Sequence, residues 1–105
     1  MYKAIVKVTL KKKILDPQGK AIESSLHNLG FTGLTGVRTG KNIEMSIDET
    51  DLHRAKELVQ SACTKLLANS VTEEYEYEIF DIGGVELGRF STQQKSEGQV
   101  KEQVG

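Results

Sequence analysis

The stretch YKAIVKVTL, residues 2–10, alternates between two sets of side chains. One set is apolar and belongs to a protein core, whereas the other includes two lysines and belongs in water. This period of two predicts a half-buried β-strand. The core-facing set is Tyr2, Ala4, Val6, Val8 and Leu10, and the opposite set is Lys3, Ile5, Lys7 and Thr9.

The stretch LDPQGKA, residues 15–21, follows this strand and carries the signals of a helix start. Asp16 can accept hydrogen bonds from the first-turn amides, and Pro17 suits the first helical position because its missing N–H would be unpaired there. The period then changes to that of an amphipathic helix, which we expect to end at Gly30. Its apolar arc comprises Ala21, Ile22, Ser25, Leu26 and Leu29.

The same stretch could also be a phosphate-binding loop with a catalytic lysine. A loop of the Walker type requires two glycines, a lysine and a following hydroxyl, but this stretch has one glycine and no hydroxyl after Lys20. Asp16 would also fill the amide pocket with negative charge and repel a phosphate. The pattern therefore favours a helix start, in which Gly19 lets the helix approach the sheet closely.

The remaining elements follow from shorter patterns. Residues 34–39 predict a short strand, and Gly40-Lys41 fits a two-residue hairpin turn. Residues 42–48 alternate as the next strand, and a second helix is expected from Thr50 or Asp51, with Asp48 as a possible cap, to Asn69 in a left-handed conformation. Residues 74–79 alternate tyrosine or isoleucine with glutamate as a last strand.

The order strand, helix, strand, strand, helix, strand predicts a ferredoxin-like α+β fold, βαββαβ, with one antiparallel sheet and two helices on one face. The first strand would then lie in the centre, with its lysines beside glutamates of both neighbours. We expect a domain over residues 1–80, an irregular extension over 81–90 and a disordered tail over 91–105.

The totals limit the class of function. A chain of 105 residues forms one small domain, and 14 basic against 15 acidic side chains, a net charge of −1, predict no nucleic-acid partner. Its one cysteine excludes an internal disulfide. No apolar run is long enough for a membrane span, and the sequence predicts a cytoplasmic protein without a membrane partner.

Three stretches together resemble the PurS family, the small subunit of formylglycinamide ribonucleotide amidotransferase (phosphoribosylformylglycinamidine synthase). They are LDPQGKAIESSLHNLGF, VRTGKNIEMSI and CTKLLANSVTEEYEYEI, and the resemblance covers residues 1 to about 80. A C-terminal extension of about 25 residues departs from the family pattern.

The resemblance implies a non-catalytic role in purine biosynthesis. The small subunit would join a glutaminase subunit (PurQ) to an ATP-dependent synthetase subunit (PurL) and assist ammonia transfer between them. It would form a homodimer or homotetramer and bind no cofactor itself, while the complex uses ATP, Mg²⁺ and glutamine. The expected partner or oligomer contacts are Asp16, Gln18, Lys20, Arg38, Gly40 and Lys41.

The residues themselves agree with the absence of a catalytic or metal site. His27 and His53 fall on polar helix faces, and Cys63 falls on an apolar face, where a thiol is inert. The charges at the Arg38–Lys41 turn could equally serve solubility alone. RNA binding is disfavoured, because the tyrosines point to the helix side of the sheet.

A second class of function stays open at this point. An amino-acid-sensing regulatory domain of similar topology would bind its ligand at a dimer interface, near a glycine-rich turn between the first strand and the first helix. Gly19 is the residue that would mark such a turn.

Overall fold

The computed structural model describes residues 1–92, which form one four-stranded sheet and two helices. All neighbouring strands pair antiparallel, in the order β2-β1-β3-β4. The strands are β1 (Tyr2–Leu10), β2 (Gly40–Ile47), β3 (Glu73–Asp81) and β4 (Glu86–Ser91). The helices are α1 (Pro17–Asn28) and α2 (Leu52–Ala62), and α2 continues into a π-helical segment, Cys63–Leu67.

The core lies between α2 and one face of the sheet. Ala4, Val6 and Val8 of β1 are at most 1% exposed, as the alternation of that strand predicts. They belong to one cluster with α2 and the inner face of β3, which places the main hydrophobic stabilisation along this helix. The other members are Ile47, Ala55, Val59, Cys63, Ala68, Tyr77 and Ile79.

The central position of β1 is confirmed, since it pairs with β2 on one side and with β3 on the other. Its open face is charged. Lys3 Nζ lies 3.6 Å from Glu44 Oε1, and Lys7 is opposite Glu76 in the register with β3. Both side chains of the Lys3–Glu44 pair are more than half exposed, so the pair adds about 1 kcal/mol at most and favours strand register.

The α+β class with one antiparallel sheet and two helices is confirmed, but one strand lies elsewhere in the chain than expected. Residues 34–39 are not a strand, and Gly40 is not in a turn but is the first residue of β2, opposite Thr9. The reason is that the amides of Val37 and Thr39 donate to the side chains of Glu23 and Asp16. A strand partner cannot use the same donors.

The fourth strand is β4, which occupies part of the segment expected to be irregular. Residues 81–90 contain the end of β3, a turn and most of β4, so this prediction is wrong for the extension. The pairing of β4 with β3 joins it to the same sheet as residues 1–80. The predicted tail at 91–105 lies outside the described residues from position 93 onward.

Helix α1 ends as the sequence predicts, because Gly30 follows the C-cap Leu29 with a φ of +102°, whereas the end of α2 differs. Asp16 caps α1 as predicted, whereas α2 is capped by Asp51, whose Oδ1 accepts from the amide of His53 at 3.1 Å. Asn69 does not have a left-handed backbone. No helix within residues 1–92 is both long and apolar enough to cross a membrane.

Helix α1 is held mainly at its beginning. Gly19 is its only buried residue, and in the described chain α1 adds no side chain to the core cluster. The apolar arc predicted for this helix is therefore formed but largely uncovered, with Leu29 73% exposed and Ile22 39% exposed. The arc would need a surface outside the core to cover it.

Candidate functional site

The candidate site is the junction where the loop after β1, the start of α1 and residues 37–40 meet. Asp16 lies at its centre and is 4% exposed. Its carboxylate accepts from the amide of Gly19 at 3.0 Å and from the amide of Thr39 at 2.7 Å. The Thr39 hydroxyl also donates to Oδ2 at 3.0 Å. Asp16 thus caps the helix and fixes residue 39, which is 23 positions away.

The same hydrogen bonds control the charge of Asp16. The Gly19 amide, followed by the Thr39 amide, lowers the pKa of this carboxyl below its ordinary value of 3.8. Donors directed at a carboxylate favour its ionised form. Asp16 is therefore a carboxylate engaged within the fold, and a partner does not meet it as a free acid.

Arg38 lies on the other side of the junction and binds backbone oxygens. Its Nη2 donates to the carbonyls of Lys11 and Ile14 at 3.0 Å each and approaches that of Leu10 at 3.4 Å. A guanidinium can satisfy several acceptors at once because its donors point in fixed directions. Arg38 therefore holds the loop that connects β1 to α1.

Two glycines let the backbone pack tightly in this junction. A Cβ atom on Gly19 would lie 2.3 Å from the carbonyl oxygen of Val37, and one on Gly40 would lie 2.5 Å from that of Val8. The sequence predicts that Gly19 lets α1 approach the sheet. The close contact is instead with the 37–39 loop, which serves the same purpose of fixing the helix start.

The six predicted contact residues are brought to one region, but they differ in what they do there. Asp16, Arg38 and Gly40 are engaged in the fold itself. Gln18 is exposed, and the Thr39 hydroxyl lies 3.4 Å from its Oε1. Lys20 and Lys41 are exposed. These three exposed side chains stay predictions as partner contacts.

Sequence reasoning missed an apolar surface beside the junction, here called the α1 patch. Leu26 and Leu29 follow Ile22 by four and seven positions, a spacing that places them on one helix face. Phe31 and Leu34 come directly after the helix, and the Phe31 amide donates to Leu26 O at 2.9 Å. Part of the signal was present in Leu15 and Phe31, which are apolar and lie outside every predicted helix and strand. The exposed members are Leu15, Ile22, Leu29, Phe31 and Leu34, at 65, 39, 73, 53 and 49%.

The residues with reactive side chains lie apart from this junction. Cys63 is fully buried, and burial raises the pKa of its thiol to about 11, so it is not a thiolate near neutral pH. His53 Nε2 lies 3.4 Å from Glu57 on an exposed turn of α2, and His27 Nε2 is 2.8 Å from the Leu34 carbonyl oxygen. Across residues 1–92, no three His, Cys, Asp or Glu side chains form a group that could hold a metal ion.

Comparison with known proteins shows which family this chain resembles. The family model PurS, described as phosphoribosylformylglycinamidine (FGAM) synthase, matches residues 3–81. The PurS subunit of phosphoribosylformylglycinamidine synthase from Bacillus subtilis is 43% identical over 82 residues, which are 78% of this chain and 96% of that subunit. The PurS subunit from Methanocaldococcus jannaschii is 40% identical over 79 residues, 75% of this chain and 95% of that one.

Solved structures of PurS proteins are also similar to this chain. Methanocaldococcus jannaschii PurS, described as a subunit of formylglycinamide ribonucleotide amidotransferase in the purine biosynthetic pathway, has a TM-score of 0.71 at 41% identity. The match covers 78% of this chain and 99% of that one. A PurLQS structure from Thermotoga maritima has a chain with a TM-score of 0.69 at 31% identity, covering 82% of this chain and 96% of that one.

Proposed function

This chain belongs to the PurS family, the family of a subunit of phosphoribosylformylglycinamidine synthase in purine biosynthesis, and we propose that it acts there as a bridge without catalytic residues. In this role it joins a glutaminase subunit to a synthetase subunit. It thereby assists the transfer of ammonia from the first to the second.

One observation carries the proposal, namely the uncovered α1 patch. A helix with one buried residue, with exposed leucine, isoleucine and phenylalanine side chains on it and in the segments next to it, is unfavourable for an isolated domain in water. Exposed apolar surface of this kind marks contacts with other proteins. A chain that works through contacts with other chains, whether a second copy or another subunit, needs such a surface.

The mechanism is positional. Ammonia released by one subunit is neutral and is lost if it reaches bulk water, so transfer depends on close apposition of its source and its acceptor site. The Asp16 junction contributes by fixing where α1 leaves the sheet, and hence where the patch is presented. The nucleophile that attacks glutamine belongs to the glutaminase subunit in this scheme, because the Cys63 thiol is buried and protonated.

The partners in this proposal are PurQ-type and PurL-type subunits. The Thermotoga maritima structure named PurLQS supports this choice, since a chain of that assembly is similar to this one. ATP, Mg²⁺ and glutamine would be used by those partners and not bound by this chain. The proposal includes a cytoplasmic location, as the sequence predicts.

Self-association as a homodimer or homotetramer is also part of the proposal, with the α1 patch covered by a second copy. Each exposed member of the patch is uncharged, so two copies can meet about a two-fold axis without placing like charges together. The exposed Gln18, Lys20 and Lys41 at the adjoining junction then face the other subunits.

The amino-acid-sensing alternative has less support. It requires an open glycine-rich turn between β1 and α1, but Gly19 is buried within the first turn of the helix. The space beside its Cα is taken by the Val37 carbonyl and the Asp16 carboxylate. An amino acid has no room to bind against that glycine.

Reconstitution with separately purified PurQ-type and PurL-type subunits tests the proposed bridge. Omitting this chain should lower the glutamine-dependent amidination rate by about tenfold or more, because ammonia then escapes, and should leave the ammonia-dependent rate unchanged. An equal loss of both rates would contradict the bridging role, since it would mean that this chain is needed for the chemistry at the acceptor site.

A further inference from the structure

Strand β4 lies outside the part of the chain that matches the family model. That part ends at residue 81, which is also the last residue of β3. Without the residues that follow, β3 would be an edge strand of nine residues with a row of unpaired amides and carbonyls. Such an edge invites pairing with a strand of another chain.

The segment 82–92, here called the edge cap, occupies this position from within the chain. Paired positions run from Glu76 opposite Ser91 to Phe80 opposite Glu86. Thr92 continues the pattern with its side chain, because its Oγ1 accepts from the Tyr75 amide and donates to the Tyr75 carbonyl, at 3.0 Å each. Most of the backbone N–H and C=O groups on the outer edge of β3 are thereby paired within the chain.

Both faces of the sheet anchor the edge cap. On the core face, the Phe90 ring stacks on Tyr77 with centroids 5.6 Å apart and lies 5.8 Å from Tyr75. On the open face, Arg89 Nη2 lies 3.1 Å from Glu78 and 2.8 Å from Glu86. Aromatic and charge pairs of this kind fix the register of a strand.

The turn that connects β3 to β4 is stabilised by its own side chains and by a glycine. Asp81 Oδ1 accepts from the amides of Gly83 and Val85, both at 2.9 Å. Gly84 has a φ of +91°, a conformation that glycine adopts without strain. The hairpin is thus specified by its own sequence and does not depend on a partner.

The new outer edge, formed by β4, is a poorer template than β3. It has six residues, and its register skips Leu87 between the Ile79–Gly88 and Phe80–Glu86 pairs. A bulge twists an edge strand away from further pairing, and its charged residues oppose it. The Lys56 side chain of α2 lies against this strand at Gly88, since a Cβ on that glycine would lie 2.8 Å from the Lys56 Cε.

We propose that the edge cap prevents a second copy of this chain from adding a strand to β3, and so limits the size of the homo-oligomer. The molecule that is kept from pairing is an identical chain, because its own edge strand has backbone N–H and C=O groups that could pair with those of β3. The inference is independent of the bridging function. It concerns a segment outside the family-matched residues and holds whichever partners the α1 patch meets.

The test uses the full chain with Gly88→Pro and Phe90→Asp, which together remove one backbone donor and the aromatic stack of β4. Val71→Asp is the matched control, because it adds the same charge at a 75% exposed position outside the edge cap. Hydrogen exchange of the β3 amides reports the state of the edge, and light scattering gives the mass.

At equal protein concentration, the double variant should have an average mass about twofold that of the wild type or more, while Val71→Asp should match the wild type. Faster exchange in β3 with an unchanged mass would overturn the proposal, because the edge would be open without attracting a second copy. Unchanged exchange and mass would also overturn it, since the protection would not come from β4.

Circular dichroism monitors folding of the same samples. If the double variant unfolds, Thr92→Val replaces it as a milder change, because it removes only the two hydrogen bonds to Tyr75. Unfolding by both would overturn the inference, since β4 would then be a required part of the core.

Discussion

At the scale of single residues, Asp16 has two tasks, and the sequence reveals only one of them. The Asp-Pro pair predicts a helix cap because cap and amides are three positions apart. The second task, the hydrogen bonds to Thr39, joins residues 23 positions apart and has no local pattern. The sequence therefore locates the site but does not distinguish a residue that holds the loop from one that meets a partner.

The stability of the chain should depend on the ionisation of Asp16. In Asp16→Asn one carboxylate oxygen is replaced by an N–H₂ group, which is a donor and would face the Gly19 or Thr39 donors without accepting from them. We therefore expect the melting temperature at pH 7 to fall by roughly 5 °C or more. The folded pKa lies below the ordinary 3.8. The carboxylate thus stabilises the fold fully above about pH 4, and this contribution is lost as pH falls through the folded pKa.

Thermal unfolding of both proteins from pH 7 down to pH 3 checks this dependence. The difference between wild type and Asp16→Asn should shrink at the acid end. Asp48→Asn, at an exposed position, serves as the control. A difference that stays constant over the whole range would refute the role given to the Asp16 charge.

Gly19 should tolerate no side chain. In Gly19→Ala the new methyl group would lie 2.3 Å from the Val37 carbonyl oxygen, a backbone atom that cannot turn aside. We expect a loss of about 1–3 kcal/mol in the free energy of unfolding, measured with urea. Gly33→Ala is the matched control, because nothing lies within 4 Å of the place where its methyl group would sit. Equal effects of the two changes would show that the contact with Val37 is not tight.

At the scale of elements, predictability depends on whether an element has its own signal. Strand β1 alternates over nine residues and can be found from its sequence, as can the starts of both helices. Strand β4 is missed because ELGRFS has no alternation of its own and is defined by its contacts with β3. Residues 34–39 are misassigned because their amides go to the side chains of Asp16 and Glu23.

The position of α1 should depend on Arg38. Its guanidinium is bound to carbonyls of the loop before the helix, so Arg38→Ala should weaken this loop by about 1 kcal/mol. Arg38→Lys should not restore it, because the contacts are made by Nη2, which lies one bond further from the backbone than the Nζ of a lysine. Hydrogen exchange of the Ile14 amide, which donates to Lys11 O at 2.9 Å, reports the loop.

Assembly assays on the same variants separate two explanations for any loss of partner binding. If Arg38 acts through the loop, co-elution with the large subunit and protection of the Ile14 amide should decline together. Lys41→Ala, which removes an exposed neighbouring cation, should leave that amide protected. Weaker co-elution by Arg38→Ala with normal protection would instead identify a direct contact.

At the scale of the whole molecule, the two helices differ in what covers them. Helix α2 has a core beneath it, with Ala55 and Val59 at most 2% exposed, while Ile22 of α1 and its C-cap Leu29 are 39 and 73% exposed. The sequence alone does not reveal this asymmetry, because both helices have an amphipathic pattern. The Asp16 junction fixes where α1 begins and so contributes to this difference.

The α1 patch should therefore control self-association more than folding. Leu29→Ser combined with Phe31→Ser removes two large side chains that are 73 and 53% exposed in the single chain, so thermal stability of the monomer should change little. If a second copy buries them, the dimer dissociation constant should rise about a hundredfold or more. Sedimentation equilibrium over a dilution series measures that constant.

Leu66→Ser combined with Val71→Ser is the matched control, because these side chains are 82 and 75% exposed and lie outside the patch. The control should have the same dimer dissociation constant as the wild type, because Leu66 and Val71 lie outside the proposed contact. The same constant for all three proteins would exclude the α1 patch as the homodimer surface. A weaker dimer only in the control would place that surface at the end of α2 instead, and the patch would then be free for the glutaminase or synthetase subunit.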